Sequence, residues 1–171
     1  LTGAVLFPGT QLPLNIFESR YINMIDDALA SSDRLIAMIQ PTSSKDSDSK
    51  ILKNVGCVGK ITTFNEIEDS RYLITLTGII RFKVEKELDT TTPYRQIIPD
   101  FTKFNTDLGD QNVENIDRDK LLGLIKKYLE HRNMLTDWDI IQQTSTEQLI
   151  NYSGVLVPFT PEEKQLLLES I

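Results

Sequence analysis

The stretch that most constrains the fold is RYLITLTGIIRFKVEK, residues 71 to 86. Tyr72, Ile74, Leu76, Ile80, Phe82 and Val84 occupy even positions, and Thr75, Thr77, Arg81, Lys83 and Glu85 occupy odd ones. That period of two predicts a half-buried strand. Straight, the run would span roughly 45 Å at about 3.3 Å per residue, too long for a small domain. Gly78 falls on the apolar face near the middle, where a bend or bulge is easiest. A strand bent there can turn a barrel corner and serve two sheets.

VGCVGKITTF (55–64) and PYRQIIPDF (93–101) read as flanking strands, and RLIAMIQ (34–40) as a buried one. GAVLFPG (3–9) reads as a short strand closed by Pro-Gly. QLPLNIF reads as a second extended piece, with Pro13 suited to an edge. At Glu18 the period changes. Phe17, Tyr21, Ile25, Ala28 and Leu29 fall at helical spacing, which places Phe17 and Tyr21 in the core. Asn15 or Glu18 is the candidate cap. PTSSKDSDSK (41–50) reads as a flexible polar loop.

Beyond DLGDQNVEN (107–115) the pattern is helical, with helices expected near 117–132, 137–142, 146–157 and 161–171. Asp117 and Asp137 are candidate caps, and Trp138 a core residue. Ser145 with Gln148, and Thr160 with Glu163, match the capping box, and Pro161 suits a first helical position. The division is a β-rich part, 1–106, a connector, 107–115, and a helical part, 116–171. Leu1 in place of Met, and a helical pattern still running at EEKQLLLESI, lead us to expect trimmed ends.

The net charge of -7 argues against a nucleic-acid groove, which needs clustered Lys and Arg. A single cysteine, Cys57, makes neither an internal disulfide nor a structural zinc site, and fits a reducing, cytoplasmic setting. No apolar run approaches the roughly 18 residues of a membrane span.

No enzyme constellation emerges, so no catalytic, cofactor or metal residue is assigned. Gly59-Lys60 lacks the remaining positions of a phosphate loop, with Asn54 and Ile61 where Gly and Ser or Thr belong. Cys57 sits between Gly56 and Val58 in a strand, and the lone histidine, His131, lies far along the chain. A buried structural thiol and a helix-terminal histidine are the favoured readings. Asp137 and Asp139 point to different helix faces. The cluster Phe17, Glu18, Arg20 and Tyr21 reads first as a strand-to-helix joint. Its second reading is a protein-binding contact, with Arg20 foremost.

VLFPGTQLPLNIFESRY resembles the opening of the Lon protease N-terminal domain family. VGCVGKIT, RYLITLTGIIRFKVEKE and PYR follow in that family's order, over nearly the whole chain. DW at 137–138 and LVPFTPEEKQLLLE at 156–169 resemble free-standing bacterial members. Ser19 stands where many members carry Pro. The resemblance implies an α+β fold: a PUA-like β pseudo-barrel with one helix, then a C-terminal helical bundle. It implies a non-catalytic module that binds unfolded or extended polypeptide, without the ATPase and Ser-Lys protease domains. The alternatives are RNA binding, as in other PUA-like barrels, and a stand-alone peptidase.

Overall fold

The computed structural model describes residues 3–42, 51–67, 71–109, 116–135 and 137–170. Most of the loop expected at 41–50 and of the connector at 107–115 lies outside them. Five strands form one antiparallel sheet: β1 Gln11–Ile16, β2 Leu35–Met38, β3 Val55–Ile67, β4 Arg71–Leu88 and β5 Gln96–Asp100. The order is β1-β4-β3-β2, with β5 also on β4. A helix, α1 Ser19–Ala30, follows β1. A 3-10 helix over Thr102–Leu108, not anticipated from the sequence, follows β5.

The long alternating run is a single strand of 18 residues. It serves two partners along one edge: β1 pairs with Tyr72 to Thr77, and β5 with Lys83 to Leu88. Val58 pairs with Ile80 but Gly59 pairs with Gly78, so Ile79 is an extra residue in β4. A bulge of one residue carries the following side chains to the other face. The apolar row accordingly divides. Ile74 and Leu76 enter one core cluster with Leu6, Ile25 and Ile36, while Ile80 and Phe82 enter a second with Val58 and Phe104. One strand thus supplies both cores from within one sheet, not two.

Gly78 matters because another backbone passes over it. A Cβ there would stand 2.0 Å from the Phe7 carbonyl oxygen. The expected strand at 3–9 does not form. Residues 5–7 instead cross the sheet with Val5, Leu6 and Phe7 buried. A turn closed by the Thr10 N–H on the Phe7 carbonyl follows, with Gly9 at a φ of 70°. Gly9 then donates to the Gly78 carbonyl at 3.0 Å, and the Gly78 N–H donates to Thr10 at 2.9 Å. Two other glycines admit the same segment. A Cβ at Gly59 would meet Leu6 at 2.5 Å, and one at Gly154 would meet the Phe7 ring at 2.3 Å.

Four helices follow: α2 Arg118–His131, α3 Trp138–Gln143, α4 Thr146–Leu156 and α5 Pro161–Glu169. Their caps are those the sequence specified. Asp117 accepts from Lys120, Asp137 from Asp139 and Ile140, and both capping boxes are complete. Both apolar core clusters centre on the sheet, while Leu129, Leu149 and Val157 of the helical part are buried outside them, so the clusters do not bear out a separate bundle core. Polar contacts also link the helices, beside the Tyr128–Phe159 ring pair at 4.9 Å. Arg118 donates to the Gln142 and Thr144 carbonyls and to the Thr146 hydroxyl, and Tyr128 donates to Glu163. Trp138 is half-buried rather than in a core, with the Lys126 ammonium 5.8 Å from its ring. α5 docks on the sheet through Leu168 and through the buried amides of Gln165 and Gln40, the latter reaching the Pro161 carbonyl at 2.9 Å.

The sheet pairing also does not close into a barrel among the described residues, since β1 and β2 end as opposite edges. The pairing phase turns the Pro13 backbone away from β4, and proline has no N–H to extend a ladder there.

One buried ion pair ties the layers together. Arg81 on β4 grips Asp107 at 2.7 Å, with the Asp107 side chain only 1% exposed, and donates to the Leu168 and Ser170 carbonyls of the α5 end. Replacing Asp107 with Ala strands the guanidinium and should cost about 3 kcal/mol, read from urea unfolding. Gly78→Val should cost about 3 kcal/mol, since the clash is with backbone. Gly123→Ala on exposed α2, where nothing lies within 4 Å of the new Cβ, should instead stabilise by about 0.5–1 kcal/mol. Equal melting shifts for the two glycine variants would contradict the crossing at Gly78.

Candidate functional groove

Alternation places Leu14 and Ile16 of β1, Ile74 and Leu76 of β4, and Ile36 and Met38 of β2 on one curled face. α1 lies across that face because its apolar stripe ends on Ile25, which is wholly buried. Between helix and sheet runs an open groove of about 840 Å³. Tyr21 and Met24 of α1 form one wall. Pro93, Tyr94, Arg95 and Ile97 form another, with Ile39, Pro41 and Leu52 at one end. Met24 and Met38 are two of the chain's three methionines. Their unbranched thioether side chains adapt to irregular apolar surfaces.

Two ion pairs edge the groove. Arg20 holds Glu18 at 2.8 Å, and its guanidinium lies 4.5 Å from the centre of the Tyr21 ring. Arg95 holds Glu87 through two bonds, one of 2.6 Å, and this hydrogen bonding holds the Glu87 carboxyl below its usual range. Tyr94 donates its hydroxyl to Asp27 on α1, a bond that pushes its pKa up. Tyr72 is raised likewise by its bond to Asp26. The acidic outer face of α1 is therefore hydrogen-bonded to tyrosines of the sheet and of the 93–97 wall.

Of the four residues singled out from the sequence, Glu18, Arg20 and Tyr21 line the groove. Phe17 does not. It precedes the helix, is 67% exposed and is not a core residue. The helix starts at Ser19, two residues too late for Phe17 to join the stripe. Glu18 takes the cap position, but neither it nor Asn15 caps through its side chain, because Glu18 is committed to Arg20. Sequence reading missed Met24, Met38 and the 93–97 wall. The concentration of methionines at 24 and 38 was the available signal.

Other candidates for chemistry are accounted for structurally. Asp137 is spent on capping α3. Among the described residues no group of three His, Cys, Asp or Glu side chains is placed to hold a metal. No helix there is long and apolar enough to cross a membrane. Cys57 is wholly buried, and desolvation pushes its thiol up to about 12. An unfolded thiol titrates near its ordinary value of 9.0. Above that pH the unfolded chain binds fewer protons than the folded one, so stability should fall as pH rises from 9.0 towards about 12. A thiol reagent should leave the native protein unmodified and label it fully in urea. Rapid native labelling would show that Cys57 is accessible.

Comparison with known proteins places this geometry. The family model described as the ATP-dependent protease La (LON) substrate-binding domain matches residues 1–171. A Lon protease of Malacoplasma penetrans is 25% identical over 98% of this chain and 22% of its own length. Lon protease 2 of Myxococcus xanthus is 28% identical over 100% of this chain and 21% of its own. The chain thus spans about a fifth of these relatives, and matches their N-terminal part. Two solved structures share the fold. The Lon N-terminal domain protein from Xanthomonas campestris has a TM-score of 0.60 at 16% identity, covering 98% of this chain and 86% of that one. The N-terminal domain of Mycobacterium avium complex Lon protease has a TM-score of 0.62 at 18% identity, covering 98% and 85%.

Proposed function

Since the chain belongs to the substrate-binding domain family of the ATP-dependent protease La (Lon), we propose that it is a non-catalytic recognition module that holds unfolded or extended polypeptide in the groove under α1. The observation that carries this reading is the groove's make-up: an apolar floor, two methionines and a rim of internally paired charges. Burial of apolar area is the main source of affinity that tolerates many sequences. Rim charges that already have partners leave little fixed charge for a highly charged ligand.

In this proposal Glu18, Arg20 and Tyr21 form the groove's mouth, and exposed Phe17 stands beside it as a first contact. The β-rich part supplies the groove, and the helical part after the connector braces the sheet through α5. The module works in the cytoplasm without nucleotide turnover of its own. Net charge and the paired rim both weigh against RNA.

The test is a titration of a permanently unfolded client, reduced and carboxymethylated α-lactalbumin, at low and high salt. Affinity should lie at about tens of micromolar, because ordering a flexible client consumes much of the contact energy. It should change little between about 50 and 500 mM salt. Arg20→Ala should weaken it about threefold, roughly the effect of one exposed contact, without lowering the melting temperature. No binding at any concentration, or a steep loss with salt, would defeat the proposal.

A further inference from the structure

We propose that the client is held by its backbone as well as by its side chains: an extended segment adds as a further strand to the free edge of β2, inside the groove. This deepens the preceding reading and rests on it.

The phase of β2 is fixed by one hydrogen bond. The Ile61 N–H donates to the Arg34 carbonyl at 2.9 Å. In an antiparallel pair, bonded and non-bonded positions alternate. Ile36 opposite Gly59 and Met38 opposite Cys57 are therefore the bonded pairs that follow. The backbone groups of Leu35, Ala37 and Ile39 point away from β3. Among the described residues nothing pairs with that side of β2. Leu35 and Ala37 are exposed, and Ile36, Ala37, Met38 and Ile39 line the groove.

Free edges are templates for further strands, and proteins blunt them with proline or charge. The opposite edge of this sheet is blunted. Gly78 donating to the Thr10 carbonyl sets the phase of β1, so Gln11, Pro13 and Asn15 face outward, and Pro13 interrupts the row of donors. The β2 edge carries no proline and no charge from Leu35 to Ile39. An unguarded row of donors and acceptors inside an apolar groove matches an extended polypeptide, which presents the complementary row and one side chain inward at every second residue. Those inward side chains would follow Ile36 and Met38 along the groove floor. The ligand class is accordingly an extended segment of about five residues, apolar at alternate positions and free of proline.

The experiment uses the whole chain and two labelled peptides of about seven residues, alternating valine and threonine with a lysine at each end. The second is made in two versions, each N-methylated at alternate amides in one of the two possible phases, which removes edge donors without removing side chains. The unmodified peptide should bind, and methylation in one phase should weaken binding at least tenfold. Amide exchange at Leu35, Ala37 and Ile39 should slow at least tenfold at saturation. Ala37→Pro should weaken binding at least tenfold, and Pro13→Ala should leave it unchanged. Equal affinity for methylated and unmodified peptides would overturn the strand addition while leaving groove binding intact. Failure of every peptide and of the unfolded client would overturn both readings. Protection of the Leu35 and Ala37 amides in the free protein, lost on dilution, would assign the edge to a second copy and overturn the proposal.

Discussion

The structure depends on one close approach, the Phe7 carbonyl lying over Gly78. A peptide plane passes across the sheet at a point where no side chain could stand. That crossing puts Leu6 over Gly59 and the Phe7 ring against Gly154, so a single three-residue segment joins β3, β4 and α4. The bulge at Ile79 begins one residue beyond Gly78. At this place β4 exchanges β1 for β5 along its edge and one core for the other. Bulges increase local twist, and a strongly twisted sheet is what leaves both β1 and β2 facing the groove under α1.

The groove follows from the same curl. Its floor is the first core cluster seen from outside: Ile74, Leu76 and Ile36 are buried beneath it, and Leu14, Met24 and Met38 are half-covered around them. Beyond the bulge the same strand is anchored by Arg81, which joins β4 to Asp107, to the Phe104 ring and to the α5 terminus. Removing charge from water is costly, and the Arg81 guanidinium offsets that cost with four donated bonds. Binding surface and brace therefore share one strand.

The local features were legible because their causes are local. Period two specified β4, and the letters at 117, 137, 145 and 160 specified four helix caps. The special character of Gly78 was visible too, though its reason was not, because the partner backbone lies some 70 residues away in sequence. Features set by tertiary contact were misread. The 3–9 segment has strand-like letters but spends its hydrogen bonds in a turn and on Gly78. Phe17 has helical spacing to Tyr21 but lies before the helix. The rim of the groove was partly legible in Glu18, Arg20 and Tyr21. The wall at 93–97 was not, since only the hairpin geometry of β4 and β5 brings it opposite α1.

The seat of Leu6 and Phe7 has a further consequence for how the molecule acquires its shape. The segment is made before its neighbours, which come from β3, β4, α4 and α5, and the buried Gln40 waits for Pro161 and Gln165. At about 5–20 residues per second, a ribosome needs roughly 10 to 30 s to deliver those partners. During that interval the apolar stretch at residues 5–7 has no place to go. The core closes late, which makes contacts of long sequence separation the slow step. Until α5 arrives, residues 5–7 of the nascent chain are themselves a short apolar segment without its full seat.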